Sequence, residues 1–154
     1  MAQAPSIQRP GNTPASWRCT EFMAPLPLLA VGLMLVNDHW LKHTFHNALT
    51  GKLSDVAGCF FLPLYVSALL GLLWRAPVVA RLWTGAAVTC AVFVPVSLSR
   101  TAADALVTTL QPIGALLGLH GYRIAADPTD LMALPLVLLA VRYGQSRHAR
   151  EVAP

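Results

Sequence analysis

His39, His43 and His46 stand in the order H-x-x-x-H-x-x-H. On a helix this spacing turns three imidazoles to one side, where they could jointly hold a divalent metal. A water on that metal would be a nucleophile for hydrolysis or group transfer on a lipid. No flanking Glu-x-x motif supplies a general base, and histidines solvated at a membrane boundary explain the same residues. They are candidate metal ligands, and no cofactor is expected.

The histidines lie inside NDHWLKHTFHNALTGKLSDVAG, residues 37 to 58, which gathers charge between two apolar runs. Asp38 and Lys42 are four apart with the acid first, the favourable order for a helical ion pair. Lys52 and Asp55 are three apart and can pair likewise. A second block, Asp127-Pro128-Thr129-Asp130, reads as a helix start. There Asp127 is the N-cap, Pro128 the first helical residue and Asp130 an acid near the positive end of the dipole. Asn37, Asp38, Lys42, Lys52, Asp55, Arg100, Asp127 and Asp130 are the candidate ligand-binding set, with Arg123 beside them. If they converge they form a polar cap able to bind a charged head group; scattered, they are anchors and caps. G-x-S-x-G, H-E-x-x-H, P-loop and Rossmann patterns are all absent from the sequence, so it carries no strong enzymatic signature.

The elements holding these groups follow from composition. Apolar residues are 55% of the 154 and charged residues only 12%, against about 25% charged in an ordinary soluble domain. Such a chain reads as an integral membrane protein. Its net charge of +4 does not form a basic patch interleaved with aromatics, which argues against nucleic acid as a partner. Three cysteines, Cys19, Cys59 and Cys90, two of them in apolar runs, argue against a disulfide framework.

The expected fold is an all-α membrane bundle of four transmembrane helices. The spans are about Phe22 to Leu41, Ser54 to Trp74, Leu82 to Leu98, and a short last one, DLMALPLVLLAVRYG. Between the third and fourth, a short interfacial helix over Ala102–Leu110 precedes a partly re-entrant segment; the eight residues Pro112–Leu119 are too few for a fifth crossing. Pro63, Pro95 and Pro135 fall inside spans and should free the carbonyls of Cys59, Ala91 and Leu131. Residues 1–21 read as a flexible cytoplasmic tail, 22–143 as the membrane domain and 144–154 as a basic cytoplasmic tail.

Four spans put both termini on one side with Arg9, Arg18, Arg75, Arg81, Arg142, Arg147 and Arg150. The other side holds Lys42, Lys52, Arg100 and Arg123. Seven against four places both termini in the cytoplasm of a bacterial inner membrane. Asp38, Asp55, Asp104, Asp127 and Asp130 all fall on the outer side, with four of the five histidines.

N-D-x-x-L-K (Asn37 to Lys42), T-G-K-L-S-D-x-A-G (Thr50 to Gly58) and D-P-T-D-L-x-A-L-P (Asp127 to Pro135) resemble a set of bacterial multi-spanning membrane proteins. More distantly, Lys52, Asp55, Phe60 and Phe61, with Asp130-Leu131-Met132-Ala133, resemble the VanZ-like family of small bacterial membrane proteins associated with low-level glycopeptide resistance. Asp55 stands where that family usually has His, and its Glu-containing segment before the final span is not visible. The resemblance implies lipid or lipid-linked envelope precursors as ligands. A larger membrane protein or a second copy of the chain is the alternative partner.

Overall fold

A computed structural model describes residues 23–41, 44, 48–73, 76–116 and 123–152. Lys42, His43, His46, His120, the side chain of Asp38 and the tail 1–21 lie outside the described residues. The described chain is all-α, without strands. Its helices are α1 (Pro25–Val36), α2 (Ala48–Leu73), α3 (Val78–Leu98), α4 (Arg100–Leu116) and α5 (Pro135–Val152).

Local chemistry sets several of these boundaries. α1 follows extended Ala24 with Pro25 in its first position, where a missing N–H costs nothing. After twelve residues it passes into a π-type turn, Asn37–Leu41, so helical backbone runs on to Leu41 but changes its winding at Asn37. Its α-helical part is only about 18 Å long. α2 and α3 differ. Thr50–Leu73 spans 24 residues with mean hydropathy 2.1, and Val78–Leu98 spans 21 residues with 1.6. At 1.5 Å per residue these are about 36 and 32 Å, each long and apolar enough to cross a hydrocarbon core of about 30 Å. They are the two described helices that meet this test.

α3 stops at Ser99, whose backbone is extended. The Ser99 carbonyl and hydroxyl then accept from Ala103 N and Ala102 N, at 3.0 and 3.4 Å, starting α4. α4 runs past the expected Ala102–Leu110 to Leu116, through Pro112. Among the described elements it packs only on α3. Ala103 and Gly114 are covered, whereas Leu110, Ile113 and Leu116 are exposed.

The last apolar segment also departs from expectation. Pro135 does not kink a span; it opens α5 after a 3-10 turn, Pro128–Ala133. The Leu131 carbonyl expected to be freed accepts from Leu134 N at 3.1 Å. A residue before proline disfavours the helical region, but here that position, Leu134, closes the tighter turn and the next helix begins at the ring. α5 continues through the basic sequence to Val152.

α2, α3 and α5 share the core: Cys59 and Leu64 from α2, Leu82 and Ala86 from α3, Val137, Ala140 and Val141 from α5, with Ala133 from the 3-10 turn. Small residues permit close approach. A Cβ on Gly85 would overlap the carbonyl oxygen of Pro63, so α2 and α3 meet backbone to backbone there. A Cβ on Gly144 would lie 2.6 Å from Leu82 Cδ2, which holds α5 against α3. Among the described residues, the thiols of Cys59 and Cys90 are free.

The short link from α2 to α3 makes them antiparallel. The start of α2 and the end of α3 therefore share one end of the bundle, and the 3-10 turn packs on both helices.

Candidate functional site

Lys52 is the junction of that end. It lies in the first turns of α2, and its ammonium reaches the 3-10 turn rather than ending in solvent. Lys52 Nζ donates to Thr129 Oγ1 and, at 3.3 Å, to Asp130 Oδ1. Asp127 Oδ2 lies 3.8 Å away on the outer side. These two hydrogen-bonded partners are 77 and 78 residues along the chain, beyond the reach of the local pairing expected with Asp55. Asp55 is half-buried three residues on, at the same end.

The D-P-T-D block supplies the receiving geometry. Asp127 caps the 3-10 turn as expected, accepting from Thr129 N at 2.9 Å and from Thr129 Oγ1 at 2.7 Å. These bonds hold its carboxyl below the usual range, the side-chain hydrogen bond contributing most and the charge of Lys52 adding to it. Asp130 serves the dipole of the turn and also Lys52. The three charged side chains differ in exposure: Asp130 is 15% exposed, Lys52 38% and Asp127 48%. The pair closes inward on Asp130, and the second carboxylate, Asp127, stays open to the surface.

Asn37 makes the second junction. It is completely buried at the foot of α1. Its Nδ2 donates to the Thr50 carbonyl and, at 2.7 Å, to Ser54 Oγ. The side-chain amide thereby takes up a backbone acceptor in the first turn of α2, at the same end as Lys52. A backbone oxygen can only accept, so the amide orientation is fixed, and Asn37 Oδ1 is left buried without a partner.

Arg100, Arg123 and His39 do not join these contacts. Arg100 is exposed at the start of α4, and Arg123 is exposed in the segment that leads into the 3-10 turn. Neither forms an ion pair among the described residues. His39 Nδ1 lies 3.0 Å from the Leu35 carbonyl of its own helical turn. Among the described residues no group of three His, Cys, Asp or Glu could hold a metal; His43 and His46 lie outside them. Sequence reasoning missed Thr129 as a partner of Lys52, and Thr50 and Ser54 as partners of Asn37. The Thr50 acceptor is a backbone carbonyl and carries no signal in the sequence.

At the opposite end, Arg81 folds back from α3 over Gly71, where a Cβ would overlap its guanidinium. Its Nη1 donates to the Ser67 carbonyl of α2 at 3.4 Å. Phe60 and Tyr143 pack with ring centroids 5.9 Å apart, joining α2 to α5.

No protein-family profile matches this chain, and no curated protein and no solved structure is significantly similar to it.

Proposed function

We propose that the chain is a multi-pass protein of the bacterial cytoplasmic membrane whose outer-leaflet polar end receives the charged head group of a lipid. In this reading α2 and α3 cross fully. α1 with its π-type turn, and the 3-10 turn with α5, are the two shorter segments that complete a four-span bundle with both termini in the cytoplasm.

Exposure supports the membrane reading. Only 33% of the most apolar stretch of α2 and 22% of that of α3 is buried inside the bundle. The core helix of a water-soluble domain would hide most of such a surface; here Leu62, Leu69, Val88 and Val92 point outwards. The end carrying Lys52 is assigned to the outer leaflet because the arginines gather at the other.

The single observation that carries the ligand reading is the Lys52–Asp127–Asp130 cluster. Two carboxylates share one ammonium, and the half-exposed Asp127 faces the surface. The charge left for a ligand at this cluster is negative. It suits a head group that presents an ammonium, such as phosphatidylethanolamine, more than a bare phosphate monoester.

The test uses the full-length protein in phosphatidylcholine nanodiscs doped with phosphatidylethanolamine. The ethanolamine lipid should raise the unfolding temperature, and Asp127→Asn should abolish that rise without lowering expression. An equal response of wild type and Asp127→Asn would remove the head-group assignment. Reporter fusions placing Lys52 and Asp130 in opposite compartments would remove the topology.

A further inference from the structure

α5 begins against the apolar core and ends in a basic sequence, and one exposed stripe records the change. Leu138 and Leu139 are 54% and 53% exposed. Arg142 follows at helical spacing, then Ser146 and Arg150, all exposed. The opposite side of the helix, Val137, Val141 and Gly144, is buried against the other helices. The stripe therefore cannot be core.

Its depth is fixed by the packing of Gly144 on Leu82. Leu82 follows Arg81, so Arg142 lies near the level at which α3 leaves its own basic start. Trp83, 51% exposed, marks the same level; tryptophan and arginine together favour the boundary between hydrocarbon and head groups. None of Arg142, Arg147 and Arg150 has an ion pair among the described residues. In the sequence of α5 they and His148 outnumber its one acid, Glu151.

We propose that this stripe is a docking site for an anionic glycerophospholipid in the leaflet at the basic end. An acyl chain lies along Leu138 and Leu139, and the phosphate meets Arg142. Arg150, about 12 Å further along the helix axis, adds attraction to the same charged surface. The apolar half of the stripe selects lipid over a water-soluble phosphate, and the arginines select an anionic head group over a zwitterionic one. The inference rests on the membrane reading of the bundle but not on the ligand assigned to its polar end.

The test titrates the full-length protein in dodecyl maltoside with phosphatidylglycerol, phosphatidylcholine or inorganic phosphate, following the unfolding temperature. Phosphatidylglycerol should stabilise the wild type, and phosphatidylcholine and phosphate should not. Each arginine contributes about fivefold to affinity at an anionic surface. The double variant Arg142→Gln/Arg150→Gln should therefore need about 25-fold more lipid, whereas Arg142→Lys/Arg150→Lys should stay within about fivefold of wild type. Asp127→Asn should leave the phosphatidylglycerol response intact, which separates this site from the polar end. Equal stabilisation by phosphatidylcholine, stabilisation by phosphate alone, or an unchanged Gln variant would each overturn the proposal.

Discussion

The two ends of this bundle handle charge in opposite ways. At the polar end, Lys52 and Asp130 neutralise each other between α2 and the 3-10 turn, and Asn37 ties α1 to α2 through an amide with no accessible surface. At the basic end, Arg142 and Arg150 stand on the outside of α5 without an ion pair among the described residues, and Arg81 turns back onto the protein. Polar groups spent inside hold helices together; polar groups left outside address what surrounds the protein. In a membrane this distinction has more weight than in water. Lipid tails are as apolar as leucine, so helices are held by packing and by the few polar contacts between them.

Substitutions should separate the ends by size of effect. Lys52→Met leaves Asp130, 15% exposed, without its cation. Breaking a buried pair costs about 3–5 kcal/mol. Because Lys52 is 38% exposed, the loss should be about 2 kcal/mol in a denaturation titration of the purified protein. A loss below about 0.5 kcal/mol would mean that the polar end is held otherwise.

Asn37→Ala should cost about 1–2 kcal/mol, since it removes two hydrogen bonds yet also removes a buried oxygen without a partner. A loss below about 0.5 kcal/mol would mean that α1 is held to α2 by other contacts.

Acid sharpens the comparison further. Asp127 has its folded pKa depressed, so its stabilising contribution is complete above the unfolded carboxylate value of about 4. It is lost as pH falls through the lower folded value. Wild type should therefore lose unfolding temperature between about pH 5 and 3 more steeply than Asp127→Asn. Parallel acid limbs would count against the Thr129 bonds as its cause. The smallest effect belongs to the other end: Arg142→Gln in detergent without added lipid should change stability by less than about 0.5 kcal/mol.

How far these contacts could be read from sequence depended on their range. The D-P-T-D cap was legible because its geometry is local: an acid, a proline and a threonine amide two residues away. The contacts of Lys52 with Thr129 and Asp130 were not legible, for the complementary reason. A carboxylate three residues off is always the nearest candidate in sequence, whereas Asp130 is brought near only when α5 docks on α2 and α3. Pro135 misled because an apolar run through a proline looks like one kinked span; the 3-10 turn that replaces it uses the same residues. The all-α class followed from composition, but the change from α to π winding at Asn37 did not, because it falls in a run that is apolar almost to its end. Asn37 itself was marked as polar without its role being visible, since Thr50 and Ser54 become its partners only once α1 lies against α2.

Gly85 and Pro63 carry a mechanical consequence. The two long helices touch main chain to main chain near their middles, where neither side has a bulky group to deform. A side chain added at Gly85 must therefore move a helix axis rather than a rotamer, because the spacing of α2 and α3 is set there by backbone alone.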